Sequence, residues 1–137
     1  MLIDPENNEH IPSLRDPAGF IFYSDNNIYR QVNQNFKENY DKLTTSGLYE
    51  KLVSEKLLIP HVEIDFEAKK NPDAYKILLP EKIKVIAYPY ELCFSQLKDS
   101  AITLLDVMLI SMEYGMILKD ATSYNVQFHN GTPVFID

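Results

Sequence analysis

Hydrophobic positions along this chain change their spacing several times, and each change marks an element. From Gly19 the order is Gly19-Phe20-Ile21-Phe22-Tyr23, then Ser24-Asp25-Asn26-Asn27, then Ile28-Tyr29-Arg30-Gln31-Val32. Two β-favouring runs around an Asx-rich turn predict a hairpin, with Ile28, Arg30 and Val32 on one face of its second strand. Helical spacing follows over 34–57, through Phe36, Tyr40 and Leu43 and again through Leu48, Leu52 and Val53. Thr44-Thr45-Ser46-Gly47 interrupts it and supplies a fresh N-cap, so two helices are expected rather than one. His61 to Phe66 alternates and predicts a strand. Residues 68–74 read as a polar loop, and 75–79 fit more than one element. Lys82 to Tyr88 predicts a further strand, ended by Pro89.

The longest periodic pattern follows Ser95. Leu97, Ala101, Leu104, Leu105, Met108, Leu109, Met112 and Met116 recur at steps of three and four, while Lys98, Asp99, Asp106 and Glu113 leave a polar face. Ser95 is the expected N-cap and Gly115 the expected stop. The apolar stripe is read as core-facing, which would make this the longest element, packed on the final hairpin and on the helix over 48–57. That hairpin is signalled by Asn130-Gly131, two residues that tolerate positive φ. A two-residue turn there pairs 129 with 132 and brings 125 opposite 136.

The order of elements predicts an α+β fold: an antiparallel sheet with helices, in kinase small-lobe order, then one long helix and a C-terminal β-hairpin. Residues 1–18, which hold Pro5, Pro12 and Pro17, read as an irregular lead-in, and 19–137 as a single domain. The last strand, Pro133 to Asp137, is apolar and has no polar tail, so the chain is expected to be the front part of a longer protein.

Composition narrows the function classes. The net charge is −7 and no Lys/Arg run occurs, which argues against nucleic acid, because phosphate contacts need clustered cations. The single cysteine, Cys93, cannot form an intrachain disulfide; among Tyr90, Leu92 and Phe94 it reads as a small buried hydrophobe in a reducing compartment. The N-terminus lacks a basic, then apolar, signal pattern. The most apolar stretch, 101–112, carries Asp106 and is too short to span a bilayer. A cytoplasmic protein without membrane contact is expected. Four glycines leave no Gly-x-Gly-x-x-Gly and no Walker A loop. His10, His61 and His129 are not in metal-ligand spacing and read as surface or internally satisfied histidines.

One set of residues could carry chemistry. Asp120 and Asn125 are spaced D-x-x-x-x-N, and the hairpin returns Asp137 to the end where Asn125 sits. Protein kinases use such a set: one Asp orients the hydroxyl, while an Asn and a second Asp hold magnesium. On that resemblance Asp120 is the candidate catalytic residue, Asn125 and Asp137 the candidate metal ligands, and Mg with ATP the implied cofactors. Arg30 is the nearest substitute for a nucleotide-binding lysine. The pattern departs from kinases elsewhere: Leu118-Lys119 stands where His-Arg would, and the first hairpin holds one glycine. The other reading of the same residues is turn chemistry, with Asp120 capping the Thr122-Ser123 turn, Asn125 satisfying loop backbone groups and Asp137 an exposed end.

A wider resemblance runs through Asp16-Pro17-Ala18-Gly19-Phe20-Ile21-Phe22, Ile28-Tyr29-Arg30-Gln31-Val32-Asn33, Leu57-Leu58-Ile59-Pro60-His61, Tyr88-Pro89-Tyr90-Glu91, Leu118-Lys119-Asp120-Ala121 and Pro133-Val134-Phe135-Ile136-Asp137. In this order they resemble the amino-terminal region of nodulation-protein-related (NoeA-like) S-adenosylmethionine-dependent methyltransferases. The resemblance implies that a C-terminal class I methyltransferase domain follows this region and is its partner, with S-adenosylmethionine bound there. It implies an accessory or substrate-binding role for the present chain.

Overall fold

The computed structural model describes residues 16–24, 26–65 and 72–137. The lead-in up to residue 15 with His10, the turn residue Asp25, Phe66 and most of the loop over 68–74 lie outside the described residues. The chain divides into two compact units, one built from residues up to 42 and from 61–82, the other from 43–60 and 83–137. The fold is α+β.

The first unit is a four-stranded antiparallel sheet. β1 (Gly19–Ser24), β2 (Asn27–Asn33), β3 (His61–Ile64) and β4 (Ala74–Pro80) lie in the order β1-β2-β4-β3. The predicted hairpin is present, closing at Ser24↔Asn27. Gly19 faces Gln31 so closely that a Cβ would stand 1.9 Å from the Gln31 main-chain oxygen. Phe22 stacks on Tyr29 with ring centroids 5.2 Å apart, and Ile77 joins them in one buried cluster. Val32, Tyr40 and Leu78 form a second. Adjacent Ile77 and Leu78 thus enter different clusters, as neighbours on a strand must. This explains why 75–79 shows no alternation: it belongs to an inner strand covered on both faces.

Residues 34–36 make a 3-10 turn that leads into α1 (Lys37–Thr45), and α2 (Leu48–Ser54) follows. The predicted break is at Gly47, whose φ of 88° suits glycine.

The second unit holds α2, α3 (Phe94–Glu113) and a hairpin of β5 (Val126–His129) and β6 (Thr132–Phe135). α3 is the longest element and packs on both hairpin strands and α2. Leu48, Leu52, Leu58, Val107, Val126 and Phe135 form its core. Phe135 is tied in by main-chain bonds, its N–H to the Leu57 oxygen at 2.8 Å and its oxygen to the Ile59 N–H at 2.9 Å.

Three expectations are corrected. Residues 82–88 form no strand: the N–H and oxygen of Ala87 pair with the Gln127 side-chain amide, at 3.0 and 3.1 Å, in place of a neighbouring backbone. α3 starts at Phe94 with Cys93 as N-cap, so Ser95 sits inside the first turn and Cys93 is exposed rather than buried. Most important, α3 faces inward with small residues. Ser100, Thr103, Val107 and Ser111 are buried, whereas Leu105, Leu109 and Met112 are 62%, 61% and 58% exposed. Of the expected stripe, Leu104 and Met116 pack on the core. The Ser100 and Thr103 hydroxyls donate to the oxygens of Gln96 and Asp99, both at 2.9 Å, so these side chains are buried without an unmet polar group.

Candidate functional site

α3 ends at Glu113 with Tyr114 as its C-cap, and Gly115 leaves the helix at φ 67°, with the Met116 N–H bonded to the Ser111 oxygen at 2.9 Å. The chain then reaches Asp120, itself at φ 54°, a left-handed conformation that Asp tolerates better than most residues. A 3-10 turn over Ser123–Asn125 follows and delivers the chain into β5. Asn130 and Gly131, at φ 51° and 81°, close the hairpin as predicted, pairing His129 with Thr132. The Ile136 N–H donates to the Asn125 oxygen at 2.9 Å, which sets Asp137 beside Asn125.

The three turn residues are therefore brought together, with Asn125 at the centre. Its Nδ2 donates to the Asp120 main-chain oxygen at 2.8 Å and lies 3.5 Å from Asp137 Oδ2. Two acceptors on one side fix the amide's orientation, because only the nitrogen end can donate. The Asn125 Oδ1 accepts no hydrogen bond from the described residues. The Asp120 carboxylate is exposed, and the 3-10 turn has no side-chain cap, so the capping reading of Asp120 is not what the structure contains. Asn125 does satisfy a loop backbone group. No cluster of three or more His, Cys, Asp or Glu placed to hold a metal occurs among the described residues. The hard oxygens available at the turn are the Asn125 amide and the Asp120 and Asp137 carboxylates.

Arg30 lies in the first unit, on β2, paired with Ile21 on one side and Leu78 on the other. It is half-buried and close enough to His61 to oppose its protonation.

The first unit also holds a polar network that spacing alone does not reveal. Tyr40 donates its hydroxyl proton to Glu63 Oε1 at 3.0 Å, so His61 Nε2, 3.2 Å from the Tyr40 hydroxyl oxygen, donates to that hydroxyl. Lys76 pairs with Glu63 Oε2. Tyr75 donates to Asp41 at 2.6 Å. Burial pushes the His61 imidazole below its ordinary value, and the Lys76 bond holds Glu63 below the ordinary carboxylate range. A hollow of about 250 Å³ adjoins it, lined by Glu63, Asp65, Tyr75 and Lys76 among others. The network residues come from α1, β3 and β4, and only the pairing of β3 with β4 and the packing of α1 on them bring them together. The one legible signal is the i, i+2 spacing of His61 and Glu63. His61 is thus an internally satisfied histidine, as is His129, whose Nε2 lies 3.0 Å from Asn130 Nδ2.

Among the described residues no helix is long and apolar enough to cross a membrane. No protein-family model matches the chain, and no solved structure matches it. One curated protein that does is nodulation protein NoeA of Rhizobium meliloti (strain 1021), 30% identical over 127 residues. The alignment takes in 91% of this chain but 26% of NoeA, so the chain matches one region of a larger nodulation protein.

Proposed function

We propose that the chain is the substrate-binding front module of a larger, cytoplasmic NoeA-type methyltransferase whose S-adenosylmethionine site lies in another domain. The observation that supports this division of labour is that every pairing within both sheets is antiparallel. Dinucleotide-type cofactor clefts form at the carboxyl ends of parallel strands, where a Gly-rich loop opens a helix. The described residues offer neither, so they do not fit S-adenosylmethionine, and no step of methyl transfer is assigned to them. The exposed Asp120 carboxylate, on a turn fastened by Asn125, suits a donor-bearing substrate. Calorimetric titration of S-adenosylmethionine into the chain and into the full translation product of its gene tests the proposal.

A second reading, a phosphotransferase-like lobe, is favoured by the orientation of Asn125. With Nδ2 turned to Asp120, Oδ1 is available to a cation that the Asp137 carboxylate could share. Two hard oxygens completed by water and phosphate suit magnesium, which would neutralise phosphate charge there. Asp120 would orient the acceptor hydroxyl. Titration of the chain with magnesium and ATP tests this, and Asn125→Ala should abolish any binding seen.

A further inference from the structure

Twelve of the sixteen large hydrophobic residues that stand exposed among the described residues fall within 83–137, and α3 carries most of the longest run. Phe94, Leu97, Ala101, Leu105 and Met112 recur at helical spacing along one outward stripe, with Leu109 beside it. Phe94 is 81% exposed. One edge of the stripe is acidic: Asp99, Asp106 and Glu113 recur every seventh residue and are all exposed. Beside the stripe lies a hollow of about 430 Å³ lined by Glu55, Leu57, Asp106, Leu109 and Ile110. An apolar face of this extent is out of keeping with a self-contained unit.

We propose that this stripe and hollow seat an amphipathic helix with a basic edge, contributed by the part of the NoeA-type protein outside the matched region. The inference rests on the reading of the chain as one module of a larger protein. Two observations select this occupant. NoeA is matched over 26% of its length, so most of such a protein is available to supply the helix. The acidic edge, with Glu55 and Asp106 at the hollow, calls for cations opposite. A second copy of the chain fits worse. An antiparallel pairing centred on Leu105 sets Asp106 near its own symmetry mate, between molecules that each carry −7.

The test compares the chain with the full translation product of its gene. Leu109→Cys, in a Cys93→Ser background, is labelled with a maleimide in both. The expected result is rapid labelling in the chain alone and labelling slowed about tenfold or more in the full product. Leu105→Glu with Leu109→Glu should leave the melting temperature of the chain alone unchanged and lower that of the full product. Equal labelling rates in a full product that does continue past Asp137 would overturn the inference and leave the module reading standing. A reading frame that stops at Asp137 would remove the module reading, and this inference with it. A dimer of the chain alone in sedimentation, lost with Leu105→Glu, would assign the face to a second copy instead.

Discussion

Asn125 donates its side-chain amide to the main-chain oxygen of Asp120, 2.8 Å away and five residues earlier. The bond bridges a loop whose first residue sits at positive φ and whose last immediately precedes β5. It converts a sequence spacing into a fixed turn, and it places one amide between a carbonyl and the Asp137 carboxylate.

Removing that amide should loosen the turn. Asn125→Ala is expected to cost about 1 kcal/mol in urea unfolding, the usual contribution of one hydrogen bond. Asn125→Asp should cost more at neutral pH, because it sets a carboxylate against the Asp120 oxygen and the Asp137 carboxylate where the amide now donates. Equal stability of Asn125→Asp and the parent would show that the bond does not form in solution.

The facing of α3 yields a contrast between two neighbours. Val107 is fully buried and Leu105 is 62% exposed. Val107→Ala should cost about 2 kcal/mol, while Leu105→Ala in the chain alone should stay within about 0.5 kcal/mol. The reverse order in chemical denaturation would mean that the helix presents its leucines to the core.

Gly19 admits no side chain. The Cβ of Gly19→Ala would meet the Gln31 main-chain oxygen at 1.9 Å, and backbone on both sides cannot rotate away. β1 would have to part from β2, and a loss of about 2–3 kcal/mol is expected. An unchanged unfolding midpoint would place β1 elsewhere.

Stability should fall as the medium becomes acidic, and the first part of the fall belongs to His61. Burial lowers its folded-state pKa below the ordinary 6.5, so between the two values the unfolded chain binds more protons. The contribution is therefore full above pH 6.5 and is lost as pH drops through the folded value. Glu63 has the same sign at lower pH, since its Lys76 partner favours the ionised form. Urea midpoints should drop between pH 7.5 and 5.5, and His61→Gln should flatten that drop. A midpoint that rises on acidification would contradict the burial of His61.

The elements that were legible in the sequence are those set by local chemistry. Asn130-Gly131 dictates both the hairpin and its register, Gly47 breaks the helical run, and Gly115 ends α3. The convergence of Asp120, Asn125 and Asp137 follows from that register by counting. What was not legible depends on partners far along the chain. The β-favouring run over 82–88 gains a side-chain amide from Gln127 instead of a strand, and β4 hides its pattern by being covered on both faces. The facing of α3 misleads because Ser100 and Thr103 satisfy their hydroxyls within the helix and can pack inward, leaving the leucines outside. The Tyr40–His61–Glu63–Lys76 network exists only once α1 and the β3–β4 pair are assembled.

The proposed role makes this region one module of a larger methyltransferase, with the methyl donor held in another domain. Calorimetric titration with S-adenosylmethionine measures it directly. No binding heat is expected with the 137-residue chain, and saturable binding with the full translation product of its gene. Saturable binding by the chain alone, or none by a full product that extends beyond it, would overturn this division of labour.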